Sequence, residues 1–153
     1  MKKKYIACIV ALLLIILCPV NVMAATNQNR AEDIICLEDG NYITITLSET
    51  SARASGTKSG SKTYRYYNSD DVEEWRAVLT GTFTYTGSSA TCTAANCNVT
   101  IINTNWYVVS KTASKSNNVA IADVTMGLKW LGITVNKENI SIRITCSPSG
   151  TLS

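Results

Sequence analysis

Histidine is absent from the 153 residues. Its absence removes Ser-His-Asp and Cys-His catalysis and the commonest nitrogen ligand for a metal. No CxxC pair takes its place, since four residues separate Cys92 from Cys97. No metal site and no cofactor are therefore expected. A glycine-rich phosphate loop and a dinucleotide fingerprint are missing as well. Charged residues make up only 16% of the chain, and the one basic run is Lys2-Lys3-Lys4 at its start. Without those three lysines the 14 Lys and Arg fall level with the 11 Asp and Glu, so the rest of the chain is close to neutral. The basic footprint of nucleic-acid binding is absent, and no nucleic-acid partner is expected. Convincing helical periodicity is missing too.

What is present at the start is a leader. Lys2-Lys3-Lys4 precedes an uncharged run from Tyr5 to Cys18, and Val22-Met23-Ala24 ends in a small-residue site. That order is the layout of a secretory signal peptide. As a membrane anchor the run is short, and Pro19 and Asn21 interrupt it. The expected division is 1–24 as signal peptide, cut after Ala24 or Ala25, and 25–153 as one secreted domain whose 25–40 stretch is a partly flexible lead-in. No membrane contact is expected once the leader is gone. Of the six cysteines, Cys8 and Cys18 fall in the leader, leaving Cys36, Cys92, Cys97 and Cys146. An even number in an exported chain predicts disulfides.

The centre of the chain alternates. Trp75, Ala77, Leu79, Gly81, Phe83 and Tyr85 share one face, with Arg76, Val78, Thr80, Thr82 and Thr84 on the other. Period two over this length is a half-buried strand. Thr86-Gly87-Ser88-Ser89 turns the chain. Pairing Tyr85 with Ala90 then sets Phe83 opposite Cys92 and Gly81 opposite Ala94, with Trp75 or Trp106 expected over the small pair. Ile43, Ile45 and Leu47 alternate likewise, as do Ile140, Ile142, Ile144 and Cys146. Lys62–Asn68 and Trp106–Ser110 read as strands. Ala94–Asn96 breaks the alternation before another strand at 98–102. Ser48–Ser61 and Lys111–Asn118 read as polar loops, Asn136–Asn139 as a turn, and Ser147 onward as a tail.

Eight to nine short strands with turns about every ten residues predict an all-β, antiparallel β-sandwich, Ig-like or jelly-roll-like. Phase sets Cys92 and Cys146 inward on different strands. The favoured pairing is therefore Cys92–Cys146 with Cys36–Cys97, against Cys92–Cys97 with Cys36–Cys146.

The run Gly60-Ser61-Lys62-Thr63-Tyr64, then Leu79–Tyr85, Gly87–Thr93, Trp106 and Thr145-Cys146-Ser147 resembles a group of small secreted β-rich proteins of Gram-positive, Clostridia-type bacteria. The resemblance covers roughly residues 51–153. It implies export and a bacterial source, and carries over no catalytic or binding residue.

Two sets of side chains are candidates for chemistry. Asp70, Asp71, Glu73 and Glu74 could supply the facing carboxylates of a glycosidase; a solvated turn ahead of a strand explains them as well. Tyr64, Tyr66, Tyr67 and Tyr107 are the candidate binding residues, since exposed aromatics stack on sugar rings; core packing competes for them. Tyr64 and Tyr66 share a face and Tyr67 takes the other, so the three cannot all be inward. The expected function is non-catalytic binding of a glycan, cell-wall polymer or protein outside the cell or on its surface. A carboxylate-dependent hydrolase and a secreted toxin are the alternatives.

Overall fold

The computed structural model describes residues 27–37, 39–51 and 56–153, with side chains from residue 33 onward except that of Ser51. The expected leader and its cleavage site lie outside these residues. Strands β1 (Asn27–Cys36), β2 (Tyr42–Ser51), β3 (Thr57–Tyr67), β4 (Glu73–Tyr85) and β5 (Ala90–Ile101) form a five-stranded sheet. Strands β6 (Trp106–Ser116), β7 (Val119–Trp130) and β8 (Ile133–Thr145) form a three-stranded one. All pairings are antiparallel, and the described residues contain no helix. The all-β sandwich expected from the alternation is therefore present. Within each sheet every strand pairs with its sequence neighbour. That up-and-down order is simpler than the Greek-key order of Ig-like and jelly-roll sandwiches.

The core lies between the sheets. Ile43, Ile45 and Leu47 of β2 and Trp75, Ala77, Leu79 and Phe83 of β4 face Ala120, Ala122, Val124 and Met126 of β7 and Ile142 and Ile144 of β8. These are the residues that alternation puts on one face. The β4–β5 register keeps Tyr85 opposite Ala90 and Phe83 opposite Cys92, as expected. Beyond that it slips: Thr82 pairs with Ala94 and Gly81 with Ala95, which leaves Thr93 as a bulge. The space over Gly81 is filled by the Phe83 ring and Ala120, not by a tryptophan; a Cβ on Gly81 would stand 2.7 Å from Phe83.

Several polar stretches expected as loops are strand. Ser48–Ser51 pairs with Lys58–Ser61, and Lys111–Ser116 pairs with β7. Asn136–Asn139 lies within β8, and Ala94–Asn96 within β5. The reason is physical: ladder hydrogen bonds come from the backbone, so a strand with two solvated faces needs no apolar alternation. Ser147 onward is not a loose tail. The chain turns at Gly150, and Leu152 pairs back with Cys146, fully buried. Gly60 leaves room for it, since a Cβ there would meet Leu152 at 2.4 Å.

Among the described residues no two cysteines stand at bonding distance; Cys36 is exposed, and Cys92, Cys97 and Cys146 are buried as thiols. Cys36 and Cys97 lie on the two edge strands of the five-stranded sheet. At about 4.8 Å per strand these are ~19 Å apart, and a disulfide needs Cα atoms within about 7 Å, so this expected pairing does not fit. Cys92 and Cys97 occupy one extended strand, five residues or ~16 Å apart, and do not fit either. Cys92 and Cys146 are neighbours around one turn: the Cys92 N–H donates to the carbonyl of Asn117 at 2.7 Å and the Cys146 N–H to that of Asn118 at 3.0 Å.

Candidate functional site

In an up-and-down order every second connection falls at the same end of the molecule. The β1–β2, β3–β4, β5–β6 and β7–β8 connections therefore gather at one end. A cleft of about 320 Å³ opens there, at the small end of ligand-pocket sizes. Asn41, Tyr66, Asn68 and Glu74 line it from the five-stranded sheet and its turns. Asn103, Asn105 and Trp106 line it from the β5–β6 link, and Leu128, Trp130 and Asn136 from the three-stranded sheet. Asp39 and Lys129 complete it.

Glu74 organises this end. Tyr66 pairs with Trp75 and Tyr67 with Glu73, so Glu74 is the extra residue of a bulge. A bulge re-aims a side chain, and here it buries Glu74 and Trp75 in succession. The Glu74 carboxylate accepts hydrogen bonds from Asn68 Nδ2 at 2.8 Å, from Trp106 Nε1 at 3.1 Å and from Asn103 Nδ2. Its backbone carbonyl accepts from the N–H groups of Ile102 at 3.0 Å and Asn103 at 2.9 Å. A single residue thus ties the β3–β4 turn to the link that carries the chain between sheets. Buried charge is tolerated only with such partners.

Aromatic rings floor the cleft. Tyr66 stacks on Trp75 with centroids 5.1 Å apart and meets Trp106 edge-on at 5.2 Å. Asn41 Nδ2 donates to the Tyr66 hydroxyl at 2.9 Å. Burial pushes the Tyr66 phenol up to about 12, and the charge of Glu138 adds to it. Trp130 is 66% exposed at the mouth.

The other candidate tyrosines lie elsewhere. Tyr64 packs at the edge of the core, its phenol raised by burial and then by Asp33. Tyr67 stacks on Tyr42 at 4.9 Å. Tyr107 covers Gly127, bonds Thr134 at 2.6 Å and carries Lys129 over its ring at 4.4 Å. The acid group is also divided. Asp70 and Asp71 sit in the exposed turn, with Asp71 at φ 60° and bonded by the Tyr42 hydroxyl. Glu73 pairs with Arg76 at 3.1 Å and Arg65 at 3.5 Å. Only Glu74 reaches the cleft. Among the described residues no group of His, Cys, Asp or Glu could hold a metal ion.

Sequence reasoning missed the five asparagines, because each reads as a turn former. Four of them spend one amide N–H within the protein: Asn41 on Tyr66, Asn68 and Asn103 on Glu74, and Asn136 on Glu138. Each amide nitrogen has a second N–H. The Asn105 side chain bonds no described residue. The cleft thus offers fixed amide donors and acceptors beside aromatic rings. No protein-family model, curated protein or solved structure matches this chain.

Proposed function

We propose that this protein is an exported, non-catalytic β domain that binds a glycan in the end cleft. The observation that carries the reading is the lining itself, asparagine amides around tyrosine and tryptophan. Sugar hydroxyls and acetamido groups need neighbouring donors and acceptors, which an amide supplies from one side chain. The C–H face of a pyranose suits the negative face of an aromatic ring. A hydrolase is the weaker reading: three N–H donors already occupy the two Glu74 oxygens that would have to take or give a proton.

Export also supplies a role for Cys92 and Cys146. We infer that they form a disulfide by exchange with an oxidised dithiol partner: two thiols give up two electrons and two protons, and the partner's disulfide becomes two thiols. Peptide mapping of the exported protein then recovers Cys92 joined to Cys146; recovery of both as free thiols contradicts it.

The function is tested by pull-down on Gram-positive cell walls and mucin glycans. Saturable binding that Asn105→Ala and Trp130→Ala weaken, and Tyr67→Ala does not, is the expected result. Binding to neither material, or equal loss in all three variants, overturns the cleft as the site.

A further inference from the structure

We propose that the tip of the β7–β8 hairpin, Trp130-Leu131-Gly132-Ile133, inserts into the interface of an anionic lipid bilayer. Leu131 carries the argument. It is 90% exposed and sits at φ 50°, followed by Gly132 at φ 81°. Two successive positive φ values mark the mirror-image turn that favours Asn, Asp or Gly. The β6–β7 turn obeys that preference: the residue at φ 50° there is Asn117. Leu131 takes the same strained backbone with a bulky aliphatic side chain, and gains no packing in return. Nothing within the fold rewards leucine at this position.

Its neighbours continue the pattern. Trp130 pairs with Ile133 across the hairpin, and the two are 66% and 70% exposed; Val135 behind them is 56% exposed. Lys129 stands one residue behind Trp130, and Lys137 faces Gly127. From Val124 to Lys137 the chain has no Asp or Glu. Two to three residues of strand reach ~7–10 Å, which is the depth to which interfacial segments bury apolar side chains. Lys129, opposite Thr134, lies within that depth, where its stem can snorkel, and Lys137, ~13 Å behind Ile133, stands above it, where its charge meets anionic lipid.

The shape favours lipid over a protein partner. The Leu131-Gly132 end of the finger is convex: neither residue lines a cavity, and a Cβ on Gly132 would meet nothing within 4 Å. No described helix is long and apolar enough to cross a membrane, but a tip that enters one leaflet needs no spanning segment. The proposal departs from the sequence-based expectation of no membrane contact.

The test uses the purified protein with vesicles of equal parts phosphatidylglycerol and phosphatidylcholine, and with vesicles of phosphatidylcholine alone. Co-sedimentation with the anionic vesicles and a blue shift of tryptophan emission are expected, both weakened by salt. The decisive variant is Leu131→Asn, which relieves the turn and so raises the denaturant midpoint, yet lowers partitioning by roughly tenfold or more. Leu131 does not line the cleft, so glycan pull-down by this variant stays as in the parent. Failure of the parent protein to bind either vesicle, or equal partitioning by Leu131→Asn, overturns the proposal and leaves the glycan reading standing on its own test.

Discussion

At Glu74 one inserted residue decides how two sheets meet. Alternation in the sequence runs cleanly from Trp75, which is why the β4 core face was legible. The bulge just before it was not, since a bulge reverses phase without changing composition. Glu74 therefore read as one of four solvated acids. Because all three side-chain donors point at a charged acceptor, an amide cannot replace it: the NH₂ of glutamine would face another N–H. Glu74→Gln is expected to lower stability by about 1–3 kcal/mol, the penalty for an unpartnered buried group, as read from the denaturant midpoint. A Gln variant as stable as the parent would show that the carboxylate does not clamp this end.

Tyr66 adds a pH dependence at the same scale. Its phenol is raised from 10.0 to about 12, chiefly by burial. The folded chain favours the neutral form, so this contribution to stability is complete below pH 10 and is lost as pH rises through 12. Tyr64 shifts in the same direction. Alkaline titration followed by tyrosinate absorbance and circular dichroism is expected to show exposed tyrosines ionising first, and the buried ones together with loss of structure. A single ionisation step in the ordinary range, with the fold intact, would contradict this.

At the scale of elements, legibility follows burial. β2, β4 and the second half of β8 bury one face, and their alternation announced them. The outer parts of β6 and β8 are solvated on both faces, so the sequence carries no period there and they read as loops. The C-terminal return is legible only through Leu152, one apolar residue among polar ones. It is fully buried against Gly60. Leu152→Ala is expected to cost about 2–5 kcal/mol in chemical denaturation, with little change in the slope. A loss below about 0.5 kcal/mol, the ordinary range for surface changes, would mean that the return is not part of the core.

For the whole molecule, the up-and-down order explains why the site could not be found residue by residue. Asn41, Asn68, Asn103 and Asn105 lie in or beside the connections at one end of the sheets, and Asn136 projects there from β8. Taken singly they are turn formers; counted by the parity of their turns they converge. Of the four tyrosines expected to bind, only Tyr66 lies where they meet.

The central claim is that this end of the sandwich holds a glycan. The chain has three tryptophans: Trp130 at the mouth of the cleft, Trp106 in its wall, and Trp75 fully buried beneath. Their indole N–H signals in a ¹⁵N-correlated spectrum report the claim directly. Addition of soluble cell-wall or mucin oligosaccharide should shift the Trp130 and Trp106 signals saturably and leave that of Trp75 nearly still. Spectra that stay unchanged at saturating glycan, or shifts confined to residues at the opposite end around Asn117 and Asn118, would contradict it.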